Sequence, residues 1–188
     1  MNEALSGKLS GELPRELACG LTCDVTRDPA AAEDRPRILV IGYGNPLRSD
    51  DGIGWRVAEE LQARLKTSHV EVIQCHQLEP ELAEKLRDAA MVVFVDAAAE
   101  GSSGEWNHHR LTATKSSAVF SHGPTPAALL ALAADLYGAS PEAHLFTVCG
   151  SSFGYGEHLS TDVKRTLPSV VTEIEALLRA ADTAHSAG

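Results

Sequence analysis

The stretch Ile-Leu-Val-Ile-Gly-Tyr-Gly-Asn-Pro-Leu-Arg-Ser-Asp-Asp-Gly-Ile-Gly, from Ile38 to Gly54, decides the fold. Ile38, Leu39, Val40 and Ile41 are apolar in succession, with no polar alternation. A strand of that kind is covered on both faces, as strands of parallel sheets are. The run breaks at Gly42 and Gly44, turns through Asn45 and Pro46, and reaches two adjacent carboxylates, Asp50 and Asp51, before Gly52. Ile53, Val57, Leu61 and Leu65 then recur every fourth residue, the buried stripe of a helix predicted over about 51–66. Asp50 suits the N-cap of that helix. Two acids at the mouth of a strand–loop–helix unit stand where an α/β fold gathers its chemistry.

Working outward, the alternation continues. Val70, Val72 and Ile73 make a short strand ending near Cys75, and Pro80 opens a helix with Leu78, Leu82 and Leu86 on one face. The apolar strand Met91 to Val95 stops at Asp96, and a further strand covers Glu105 to Leu111. A Ser-rich loop carrying His122 feeds a helix over Pro126 to Tyr137. Ala143 to Cys149 reads as a late strand, 150–156 as a Gly/Ser loop, and Ser160 as the cap of a terminal helix reaching about Ala181. Strands alternating with helices predict an α/β fold, a three-layer αβα sandwich around a mostly parallel twisted sheet of about five strands, phosphorylase/hydrolase-like in architecture. Residues 36–183 form the single domain, 1–35 read as a flexible N-terminal extension and 184–188 as a C-terminal tail.

Composition excludes several classes. The 188 residues carry a net charge of −10, which argues against non-specific nucleic-acid binding, since that rests on Lys and Arg neutralising phosphates. No run of about 18 apolar residues offers a membrane span, and the N-terminus lacks the pattern of a secretory signal. Cys19, Cys23, Cys75 and Cys149 form no CxxC pair, so reduced thiols in a cytoplasmic protein are expected. A monomer is expected.

Three polar features fall at the carboxyl edge of the predicted sheet: Asp50 with Asp51, then Asp96, then His122. Two carboxylates and an imidazole make an oxygen/nitrogen set suited to a divalent first-row metal such as nickel or zinc. Each member alone has a plainer reading. Asp50 serves as a cap, Asp51 as a complement to the helix dipole, Asp96 as a solvated strand end, and His122 as a hydrogen-bonded loop residue. Competing motifs are weaker. Gly42-Tyr43-Gly44 opens like a dinucleotide GxGxxG, but the third glycine position holds Leu47 and the acids would repel a pyrophosphate. Gly150 to Gly154 matches GxSxG with Ser152 as nucleophile, yet Tyr155-Gly156-Glu157-His158 follows where a helix is required. Cys75 reads as a small buried residue, and His108 and His109, adjacent in a strand, point to opposite faces.

Gly42-Tyr43-Gly44-Asn45-Pro46-Leu47, then Asp50-Asp51-Gly52 and Gly54, resembles the signature of the nickel–iron hydrogenase maturation endopeptidases. The likeness extends to Val95-Asp96-Ala97, to Ser121-His122 before a Leu/Ala helix, to Gln77 through Leu82, and to the Gly154-x-Gly156 loop, over about residues 37–180. The resemblance implies an enzyme that removes the C-terminal extension of a hydrogenase large-subunit precursor after nickel has been inserted. It carries the family's metal-contacting residues onto Asp51, Asp96 and His122. Gly42, Gly44, Asn45, Asp50 and Gly52 are then loop-shaping. Many members have Glu at the place of Asp51, one methylene longer. The implied nickel comes with the precursor, with no organic cofactor. A non-catalytic nickel-binding maturation factor and a serine hydrolase using Ser152 are the alternatives.

Overall fold

The computed structural model describes residues 36–112 and 125–186. The expected extension 1–35 and His122 lie outside the described residues. Five strands and four α-helices follow in the order β1 (Ile38–Tyr43), α1 (Ile53–Arg64), β2 (Val70–Cys75), α2 (Leu82–Leu86), β3 (Met91–Ala98), β4 (Trp106–Leu111), α3 (Pro126–Tyr137), β5 (Glu142–Cys149) and α4 (Thr161–Ser186). One sheet contains all five described strands in the order β2-β1-β3-β5-β4. Its first four members run parallel, and β4 closes one edge antiparallel to β5.

The unbroken apolar run of β1 has its physical reason in the layers on either side. Ile38 and Val40 pack with Ile53, Val57 and Leu61 of α1 and with Val170, Val171 and Ile174 of α4. Leu39 and Ile41 pack the other way, with Ala83 and Leu86 of α2 and with Leu129, Leu130 and Ala133 of α3. β3 repeats the division, Val93 and Val95 to the first layer, Val92 and Phe94 to the second. All four β1 side chains are fully buried, each contributing roughly 1.5–3 kcal/mol of hydrophobic stabilisation. The αβα sandwich expected from the strand–helix alternation is therefore the observed fold.

Several boundaries differ from the sequence expectation. The regular part of α1 begins at Ile53, after a 3₁₀ turn over Ser49–Gly52, and the residue at its N-cap is Gly52. Asp50 does not cap this helix. Its carboxylate is engaged by donors 101 to 110 residues further along the chain. β3 does not stop at Asp96 but runs two residues on, because Asp96, Ala97 and Ala98 pair with Thr147, Val148 and Cys149 of β5. Pro80 stands in a turn ahead of α2, where Leu82 and Ala83 donate to the carbonyls of Glu79 and Pro80 three residues back. α4 continues past Ala181 to Ser186, and Asp182 near its end meets His69, before β2, at 2.8 Å.

Candidate active site

The sheet order creates the crevice. From β1 the chain passes through α1 to β2 on one side, then returns through α2 to β3 on the other. The strand order reverses between β1 and β3, and ligands of open α/β sheets bind outside the carboxyl ends at such a point. The loop after β1 and the last residues of β3 border it.

Glycines set how closely the first turn of α1 sits on those strand ends. A Cβ on Gly54 would lie 2.4 Å from the Tyr43 carbonyl oxygen and 2.5 Å from that of Val95. Gly44 has φ 125°, and a Cβ there would lie 2.1 Å from the Asp51 carbonyl oxygen. The chain thus folds back tightly over the ends of β1 and β3 and delivers Asp51 beside the crevice. Asn45 fixes the turn from both ends. Its N–H donates to Asp51 Oδ2 at 3.0 Å, and its Oδ1 accepts from the Leu47 N–H at 2.9 Å.

Asp96 is half-buried across the crevice from Asp51. Its Oδ1 accepts the N–H of Ala97 at 2.8 Å, and the Tyr43 hydroxyl donates to its carboxylate. Burial pushes the Asp96 carboxyl up to about 6, with the charge of Asp51 adding to the rise while Tyr43 and Ala97 oppose it. Burial, and then the charge of Asp96, push the Tyr43 phenol well above its ordinary range, so it remains a donor. A half-buried carboxyl whose ionisation is opposed by burial and by a neighbouring acid forms a place where a cation is welcome. Oxygen donors of this kind accept divalent metals. His122, the third expected member, lies outside the described residues. Among the described residues no group of three or more His, Cys, Asp or Glu is gathered closely enough to hold a metal ion.

Asp50 points the other way. It is fully buried, with Oδ2 accepting from the N–H groups of Ser151 at 2.8 Å and Ser152 at 2.9 Å, and Oδ1 from that of Ser160 at 2.7 Å. Burial alone would raise this carboxyl, but the backbone donors of Ser160, Ser151 and Ser152 outweigh it and hold it below the ordinary carboxylate range. Ser49, just before it, takes the left-handed backbone region at φ 51°, which turns the chain between the loop and the acid pair. Adjacent acids therefore divide: Asp50 ties the loop after β1 to the loop after β5, and Asp51 faces the crevice.

The competing motifs do not assemble. Ser152 spends both its N–H and its carbonyl on Asp50, and no helix begins until Thr161, so the strand–turn–helix of a nucleophile elbow is not formed. Burial, then Glu79, push the Cys75 thiol up to about 11, which leaves little thiolate at neutral pH. The Cys149 thiol is buried and donates to the Glu100 carbonyl at 3.1 Å. His108 and His109 diverge as strand neighbours do. His108 meets His144 at 2.8 Å and stacks on Phe146, on the edge strand rather than at the crevice. Sequence reasoning missed Tyr43 as a partner of Asp96. Its place one register step past the Gly42–Val95 pairing was the signal, available only once the strand order is known.

Fold and crevice together, an αβα sheet with an acid pair at its switch point, place the chain in the class of peptide hydrolases that its structural neighbours share. No protein-family model matches the chain, and no curated protein sequence matches it. A [NiFe] hydrogenase maturation protease HycI from Thermococcus kodakarensis superposes with a TM-score of 0.64 at 27% identity, over 78% of this chain and 95% of that one. A hydrogenase 2 maturation peptidase from a Thaumarchaeota archaeon gives 0.58 at 25% identity, over 75% and 97%. The hydrogenase maturating endopeptidase HybD from E. coli shares the fold, with a TM-score of 0.64 at 24% identity over 77% and 93%. These likenesses support the family of nickel–iron hydrogenase maturation proteases.

Proposed function

We propose that this protein removes the C-terminal extension of a nickel–iron hydrogenase large-subunit precursor once nickel has been inserted, reading the nickel itself as the sign that the precursor is ready. Support comes from one observation above all. Asp51 and Asp96 flank the β1/β3 crevice close enough for the charge of Asp51 to burden Asp96. Such a pair gains when a cation arrives between them. The nickel is part of the substrate. Asp51, Asp96 and His122 complete its coordination and so hold the neighbouring peptide bond in place. The held metal polarises the scissile carbonyl or activates a water. A carboxylate of the pair, or His122, takes the proton of the attacking water. Substrate without nickel gives these side chains nothing to grip, so cleavage waits for metal insertion.

On this reading the enzyme acts in the cytoplasm as a monomer; among the described residues no helix is long and apolar enough to cross a membrane. The test uses nickel-loaded precursor and reads its shortening by mass spectrometry. Asp51→Ala, Asp96→Ala and His122→Ala each lower the cleavage rate by roughly a hundredfold or more, the scale of a lost catalytic group. Wild-type rates in all three variants would refute the site. Stoichiometric nickel binding by the wild-type protein without any shortening of the precursor would favour a metal-carrying factor instead.

A further inference from the structure

Four large apolar side chains are exposed among the described residues: Leu47, Leu136, Tyr137 and Tyr155. Leu136 and Tyr137 close α3. Leu47 belongs to the loop after β1 that borders the crevice, and Tyr155 to the loop after β5 that is bonded to it. Tyr155 is 88% exposed and Leu47 44% exposed. An aromatic ring left almost wholly in water contributes nothing to the packing of its own domain.

The loops that carry them are held rigidly to each other. Arg48 and Gly156 form a short parallel bridge, with the Ser49 N–H donating to the Gly156 carbonyl at 2.8 Å and the Gly156 N–H to the Leu47 carbonyl at 2.9 Å. Arg48 Nε donates to the Phe153 carbonyl at 3.2 Å. The buried Asp50 carboxylate secures the base of the second loop through Ser151 and Ser152. Leu47 and Tyr155 therefore sit on adjoining, preorganised backbone, joined through Arg48, Ser49 and Asp50 to Asp51. A partner that settles there spends little on ordering the surface it meets.

We propose that Leu47 and Tyr155 form an apolar docking step for the folded body of the precursor protein, beside the acid pair that receives its metal. This rests on the peptidase reading above. The occupant follows from continuity: a protein that presents a bound metal to Asp51 must lay its surrounding surface over the loop on which Asp51 stands. An exposed Tyr beside Leu on a rigid loop has the character of an interface anchor, which an apolar patch on the precursor covers. The step gives the enzyme a hold on the folded precursor that is independent of the metal.

The experiment measures steady-state cleavage of nickel-loaded precursor by the wild type, the Leu47→Ala/Tyr155→Ala double variant and Tyr155→Phe. The double variant raises KM about tenfold or more with kcat unchanged, the signature of lost uniform binding. Its thermal midpoint stays at the wild-type value, since neither side chain packs in the core. Tyr155→Phe keeps the wild-type KM, because the ring rather than the hydroxyl makes the contact. A wild-type KM in the double variant, or a fall in kcat alone, overturns the docking step and leaves the peptidase reading intact. A wild-type enzyme that does not shorten the precursor overturns both.

Discussion

Asp50 and Asp51 are identical side chains on neighbouring residues, and their surroundings give them opposite work. Removing Asp50 takes a fully buried carboxylate away from three N–H groups that now bond it. Asp50→Ala therefore destabilises the protein by roughly 3 kcal/mol or more, measured by urea unfolding. Its carboxyl lies below the ordinary range in the folded state, so its contribution is present above the ordinary carboxylate pKa and is lost as pH falls through the folded value. Asp96 has the opposite sign. Its folded value of about 6 stands above the ordinary 3.8, so the native state holds the extra proton between them and stability falls as pH rises across that window. Asp96→Asn, in metal-free protein, consequently gains about 2 kcal/mol at pH 7 and nothing near pH 4. A variant no more stable than wild type at pH 7 would show that Asp96 ionises without penalty. The placement of Asp51 and Asp96 at the carboxyl edge of the sheet was legible in the sequence because each comes at the end of an unbroken apolar strand run. The destination of Asp50 was not, because a capping rule looks two or three residues ahead and its donors lie more than a hundred residues away.

At the scale of elements, the close seat of α1 on the ends of β1 and β3 is what aims Asp51. Gly54 makes that seat possible, because the atoms a methyl group would meet there are backbone atoms of both strands. No side-chain rotation relieves such a contact. Gly54→Ala is expected to cost about 3 kcal/mol or more in stability, and to lower activity further by lifting Asp51 from the crevice. Urea unfolding and precursor cleavage measure the two effects, and a fully stable, fully active variant would contradict the close seat. Most elements were legible from periodicity. The stripe Ile53, Val57, Leu61 gave α1, and Pro126 with its Leu/Ala face gave α3. The 3₁₀ turn Ser49–Gly52 was not legible, since its four residues carry no apolar period. Nor was the true end of β3, which depends on β5 continuing to Cys149 beside it.

Across the whole molecule, the sheet order joins what the chain separates. Asp51 and Asp96 meet because β1 and β3 are neighbours although β2 comes between them in sequence. An alternating strand–helix pattern announces a parallel sheet but does not order its strands, so the switch point became visible only in the assembled fold. Under the proposed function, that crevice and the neighbouring step of Leu47 and Tyr155 meet the metal and the body of one precursor. The central claim is dependence on nickel held by the substrate. The most direct measurement compares wild-type cleavage of the same purified precursor with and without inserted nickel, followed by mass spectrometry. The account predicts that the nickel-loaded precursor loses its C-terminal extension while the nickel-free precursor stays intact. Equal cleavage of both forms would contradict it.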